Sequence, residues 1–278
     1  MERAMRVAVT GAEGFLGKYT VAELCRRGHE VTKLDIVTGW DVCNSGQVYH
    51  SLAAHDAVIH LAGLLGTGEL FDTPRQAVKV NTGGAVNVLE ACADFGLHYV
   101  GVEIHNHWRN MYQATKAAAR MIASAYHQHR GVPVTMVRPF NAFGPYQKLQ
   151  GVQKIVPTFA HKAWRGEPLP VWGNGEQVVD LIWAGDAARV FVDALEVGGN
   201  DQTIDAGTGL PMTVRGVANM VRDIAKSCST IEYLPMRPGE SNGVAPIAKG
   251  EGWELVEQPQ FQIAKFVETV RWYREERP

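Results

Sequence analysis

Tyr112 and Lys116 stand four residues apart in the segment MYQATK. On a helix that spacing puts both side chains on one face. A phenol beside an ammonium is a proton-transfer pair. The reference pKa of tyrosine, ~10, is too high for a base at neutral pH, but a nearby positive charge stabilises the phenolate. A fall of ~3 units corresponds to ~4 kcal/mol of differential stabilisation. Tyr112 could then take a proton from a substrate hydroxyl. Chance supplies about 0.3 Tyr-x-x-x-Lys pairs at this composition, so position has to carry the argument. The pair opens a helix that follows the strand-like run HYVGVEI (98–104). The end of that run carries Glu103, a candidate acid or base, followed by His105 and His107.

A second constellation lies at the N-terminus. TGAEGFLG (10–17) is a glycine-rich turn between a strand and a helix. Gly11 permits the tight turn, Gly14 lets a pyrophosphate approach the backbone, and Gly17 allows close helix–strand contact. The helix N-terminus offers free N–H groups to phosphates. Asp35 ends the next strand, where a carboxylate binds ribose hydroxyls and repels a 2′-phosphate; this favours NAD over NADP. Asp41 and Val42 sit where the following loop could reach the adenine.

These residues need a frame. Short apolar runs at 6–10, 30–35, 57–62, 98–104 and 134–140 alternate with helical patterns at about 15–28, 45–54, 74–95 and 111–129. Buried runs separated by helices predict parallel strands with crossovers, a doubly wound α/β sheet of the Rossmann type. After residue 145 the texture turns to Gly, Pro and Trp. We expect an NAD-binding domain over 1–145 with a return to its sheet over 180–210. A smaller C-terminal α/β substrate-binding domain is expected over 146–278. Helices are expected near 155–165, 213–227 and 260–276, and a loop over 237–252.

Composition narrows the class. Hydrophobic residues make up 46% of 278, enough for a sizeable core. The net charge of −2, with no basic block, argues against nucleic acid. No apolar run reaches membrane-spanning length. Cys25, Cys43, Cys92 and Cys228 are scattered without a CxxC, which predicts free thiols in a reducing, cytoplasmic setting. His105 and His107 alone are too few for a metal centre, so no metal is expected.

In these motifs the chain resembles the extended short-chain dehydrogenase/reductase family, the NAD-dependent epimerases and dehydratases that act on nucleotide sugars. TGAEGFLG, HLAG (60–63), NTGGAVNVLEAC (81–92), RPFNAFGP (138–145), VWGNGEQVVDLIWAGDAARVFVDAL (171–195), DAGTG (205–209) and MRPGE (236–240) carry the likeness over almost the whole chain. The resemblance implies cofactor contacts from Gly11, Gly14, Phe15, Leu16, Gly17, Asp35, Asp41, Val42, Leu61, Ala62, Gly63, Asn81, Tyr112, Lys116 and Pro139. It implies substrate contacts from Asn141, Arg237 and His105. It also implies a homodimer through a four-helix bundle of the helices at 74–95 and 111–129. The implied reaction is transient oxidation of a nucleotide-linked sugar at C4, completed as an epimerisation or a dehydration.

The chain departs from the family in three places. Where the family has a Ser or Thr at the strand end, this sequence has Glu103, and only eight residues separate it from Tyr112. Three readings stay open: Glu103 is a functional acid or base, as acidic residues near this position are in the family's dehydratases; His105, His107 or a water replaces the hydroxyl; or these are loop residues. Val179 stands where the family grips the nucleotide with an arginine. Ala184 and Gly185 depart from the usual Val-x-Asp, although Asp186 is kept. A non-catalytic NAD-binding scaffold is the competing reading, because a fold does not fix a function.

Overall fold

The computed structural model describes residues 4–105, 108–240, 247–248 and 262–275. The first strand, β1 (Arg6–Thr10), runs into the glycine turn and α1 (Phe15–Arg26); β2 (Glu30–Leu34) follows. After α2 (Ser45–Leu52) comes β3 (Ala57–His60), buried at every position. The expected helix over 74–95 is broken into α3 (Pro74–Ala77), a π-turn (Val78–Gly83) and α4 (Gly84–Phe95). Next come β4 (His98–Val102), α5 (Met111–Arg130) and β5 (Val134–Pro139). Asn110 caps α5 through its side chain, and Gly131 ends it at φ +67°.

The smaller lobe is built from β6 (Asn141–Phe143), α6 (Ile155–Trp164), β7 (Leu169–Trp172) and β8 (Val178–Trp183). The chain then crosses back through α7 (Ala184–Val197) and β9 (Asn200–Ala206). It returns to the lobe with β10 (Pro211–Thr213), α8 (Val214–Ala225), β11 (Ile231–Leu234) and α9 (Ile263–Trp272).

The main sheet has six parallel strands in the order β2-β1-β3-β4-β5-β9. It is a doubly wound sheet, as expected, with helices burying both faces. One face packs Val21 and Leu24 of α1 and Phe191 and Ala194 of α7. The other packs Val48, Val88, Leu89 and Ala123 from α2, α4 and α5. The expected return over 180–210 is divided. β8 pairs with β6 and β10 in a separate three-stranded sheet, and only α7 and β9 rejoin the main frame. An apolar run shows that a strand is buried, not which sheet buries it. The small lobe has its own core of Phe143, Phe159, Leu181, Val217 and Phe266. Among the described residues, no helix is long and apolar enough to cross a membrane.

Candidate active site

The turn after β1 is closely packed on its own backbone and needs its glycines. Gly11 has φ +71°, and a Cβ there would lie 2.8 Å from the amide nitrogen of Ala62. A Cβ on Gly17 would come within 2.1 Å of the Gly11 carbonyl oxygen. Phe15 and Leu16 open α1 directly behind Gly14. Asp35 is buried beside this turn and accepts hydrogen bonds from the amides of Glu13 (2.9 Å) and Val37 (3.1 Å). Asp41 folds back to accept from the Cys43 amide at 2.9 Å. Val42 is buried against Gly84, and its carbonyl accepts from the Asn87 amide at 2.8 Å.

The wall after β3 is formed by Leu61, Ala62 and Gly63. The Leu61 amide donates to the Thr10 carbonyl at 3.1 Å, and the Ala62 amide to Thr10 Oγ1 at 3.2 Å. Asn81, expected to line the cofactor, is held in place by its neighbours. Its Oδ1 accepts from Leu64 N (2.7 Å), and its Nδ2 donates to the Leu64 carbonyl (3.0 Å) and to Thr115 Oγ1 (3.0 Å). The π-turn turns Asn81 inward, so its amide ties this wall to α5. π-Turns are often found at functional sites.

Lys116 is 5% exposed and has no ion-pair or hydrogen-bond partner among the described residues. A Cβ on Gly63 would sit 3.6 Å from its Nζ, so the ammonium faces the space that Gly63 leaves open. Burial pushes Lys116 down to about 8. Tyr112, one turn earlier, is half-buried, and burial pushes it up to about 12. The lowering expected from Lys116 together with a positive nicotinamide ring is not present in the protein without that ring. Positive charge from a bound nicotinamide ring would act against this desolvation.

His60 lies behind this pair, fully buried, with Nδ1 2.8 Å from Thr10 Oγ1. Burial, and secondarily the charge of Lys116, pushes it down to about 3, so the imidazole is neutral. The HLAG motif pointed to this strand end, but nothing in the sequence marked the histidine as Lys116's neighbour.

The strand end corrects a further expectation. Glu103 Oε1 accepts from Arg138 (2.6 Å), and Oε2 accepts from Arg120 (3.1 Å) and from the Thr203 hydroxyl (2.6 Å). Arg138 also pairs with Asp205 at 2.9 Å, and Arg120 with Asp201 at 2.6 Å. Burial opposes the charge on Glu103, but the bonds from Thr203 and Arg138 and the two guanidinium charges hold it below the usual carboxylate range. An acid–base catalyst needs a carboxyl free to exchange its proton; this one is an ion-pair anchor between β4, β5, β9 and α5. His105 lies edge-on to Phe140, with ring centroids 5.1 Å apart. His107 lies outside the described residues.

On the small-lobe side, Asn141 is exposed at the start of β6 and Pro139 ends β5. The Arg237 guanidinium lies over the Trp172 ring at 4.7 Å and pairs with Glu240. Val179 packs into the small-lobe core. Lys154 also faces this corner. Burial lowers it, opposed by Glu69 and reinforced by Arg237. Sequence reading passed over Lys154 because a lone lysine before a helix carries no motif.

The model of the NAD dependent epimerase/dehydratase family matches residues 7–207. A UDP-N-acetyl-alpha-D-glucosaminuronate decarboxylase from Bacillus cytotoxicus is 25% identical over 97% of this chain and 98% of its own length. Two solved structures are each 25% identical over 98% of this chain. One is a UDP-glucose 4-epimerase from Thermus thermophilus in complex with NAD (TM-score 0.83, 99% of its chain). The other is a dTDP-glucose 4,6-dehydratase from Streptomyces venezuelae with NAD bound (TM-score 0.87, 97% of its chain).

Proposed function

Since this chain belongs to the NAD-dependent epimerase/dehydratase family, we propose that it oxidises a nucleotide-linked sugar transiently at C4, with Tyr112 as the base. NAD is the cofactor. The turn at Gly11, Gly14 and Gly17 would hold its pyrophosphate, Asp35 a ribose, and Lys116 the nicotinamide end. Bound NAD supplies the hydride acceptor and donor.

One observation carries the reading. Lys116 is a largely buried lysine without an ion-pair or hydrogen-bond partner among the described residues, one turn from Tyr112 and beside the opening at Gly63. Burying a charge without a partner is costly unless a ligand completes the site. Tyr112 takes the proton of the C4 hydroxyl as the hydride leaves, and returns it when the hydride comes back. Asn141 would contact the sugar and Arg237 the diphosphate, where a guanidinium can bind two oxygens.

The fate of the 4-keto sugar separates the possible reactions. Dehydration across C5 and C6 needs a further acid–base pair, and Glu103 is held by two arginines. Re-reduction at C4 needs only Tyr112. Loss of carbon dioxide from a 4-keto uronic acid likewise needs no acid at C6. The geometry therefore favours epimerisation or decarboxylation over dehydration. Incubation with NAD and UDP-, dTDP- and GDP-linked hexoses and uronic acids in heavy water, read by NMR and mass spectrometry, distinguishes them. A C4 stereoisomer without deuterium is epimerisation, and a pentose is decarboxylation. Loss of water with deuterium uptake is dehydration and would overturn the preference. No product from any sugar would favour a non-catalytic NAD-binding scaffold.

A homodimer through α3, α4 and α5 belongs to the same proposal. Val78 in the π-turn between α3 and α4 (48% exposed) and Met121 on α5 (74% exposed) leave apolar surface there.

A further inference from the structure

The short connection between Glu103 and Tyr112 has a structural consequence at the N-terminus of α5. Asn110 is 6% exposed, and its side chain works in two directions. Its Oδ1 accepts from the Gln113 amide at 2.9 Å and caps α5, the helix that carries Tyr112 two residues later. Its Nδ2 reaches the carbonyl of Gly239 at 3.4 Å. Gly239 has φ +79°, and a Cβ there would lie 3.1 Å from Asn110 Cβ and 3.3 Å from the Phe71 ring. The turn seated on the cap of α5 is therefore the one that carries Arg237 and Glu240. Its arginine rests on Trp172 of the small lobe and pairs with Glu240.

We infer that Asn110 is a positioning residue, through which an anion held at Arg237 sets the position of Tyr112. This rests on the reading of Arg237 as the diphosphate grip. An incoming anion competes with Glu240 for the guanidinium. The turn that joins these two residues carries the Gly239 carbonyl, so any adjustment there is passed to the Asn110 amide and to the first turn of α5. Binding energy from a part of the substrate remote from C4 is thereby used to place the base.

The test uses the NAD-saturated protein, in which the glycine turn is already filled, with inorganic pyrophosphate as the probe and Asn110→Ser as the variant. Serine still caps a helix but is too short to reach Gly239. Pyrophosphate binding is followed by calorimetry. Ionisation of Tyr112 is followed by tyrosinate absorbance, taken as the difference from Tyr112→Phe. In the wild-type protein, saturating pyrophosphate should change the ionisation constant of Tyr112 about fivefold or more, the lower range of site-to-site coupling. In Asn110→Ser pyrophosphate should still bind, with most of that change lost; what survives is direct Coulomb repulsion. A wild-type-sized change in Asn110→Ser overturns the inference, as does pyrophosphate binding to the wild type without any change at Tyr112. If pyrophosphate does not bind the wild type, the reading of Arg237 as an anion grip fails, and the coupling fails with it.

Discussion

Glu103 and Arg138 meet at 2.6 Å across the ends of two neighbouring parallel strands, β4 and β5. The same carboxylate reaches Arg120 on α5 at 3.1 Å. Four residues along that helix from Lys116, Arg120 also holds Asp201, which sits at φ +56°, a backbone region unusual for a non-glycine residue. The cluster fixes the helix that carries the proposed base against β4, β5 and β9.

Glu103→Gln should therefore act on stability. Removing one partner of a largely buried ion pair costs about 3 kcal/mol. Turnover should fall by less than about tenfold, against 10²–10⁴-fold for the loss of an acid–base catalyst. The pH dependence follows from the lowered carboxyl. The stability that Glu103 contributes is present above the ordinary glutamate range and is lost as pH falls through the lowered value. Denaturant melts against pH should show a weaker acid-side loss in the variant. Collapsed turnover with an unchanged melt would return Glu103 to the chemistry.

Lys116 makes the opposite trade. Its folded-state value of about 8 lies below the ordinary 10.5. The folded state disfavours the ammonium, so this penalty is present in full below pH 8 and is relieved as pH rises toward the unfolded value. Lys116→Met should stabilise the cofactor-free protein near neutrality by up to about 3 kcal/mol. That gain should shrink above pH 8, while turnover is lost. Thermal melts across that range check the sign; a destabilised variant at neutral pH would mean the ammonium is satisfied in the free protein.

Gly11→Ala tests the phosphate cradle. The new methyl would meet the backbone of Ala62 at a φ that side chains rarely adopt. Destabilisation of about 1–3 kcal/mol and loss of NAD binding by calorimetry are expected.

Met121→Glu tests the dimer. Light scattering should give a dimeric mass for the wild type and a monomeric one for the variant; a monomeric wild type would refute the interface.

Much of the frame was legible in the sequence. The five expected strands all lie in the main sheet, each ending at or within two residues of its predicted end. Alternating apolar runs and helical spacing are local signals, and α5 with Tyr112 and Lys116 followed from them. The partners of β8 and of Glu103 were not legible. Glu103 meets Thr203 one hundred residues away, a separation that no periodicity encodes. Its identity as a carboxylate suggested acid–base chemistry, but two arginines and a hydroxyl decided its role. The π-turn at Asn81 was hidden because its sequence reads as an uninterrupted helix. Spacing put Tyr112 beside Lys116 but does not report burial, which raises the phenol in the protein without its cofactor.

The central claim is that Tyr112 moves the C4 proton within an intact NAD site. It is tested most directly by Tyr112→Phe, once a sugar from the panel is found to turn over. NAD affinity by calorimetry and turnover should be measured on the same preparation. The account predicts NAD affinity close to wild type with turnover abolished. Retained turnover in Tyr112→Phe would contradict it.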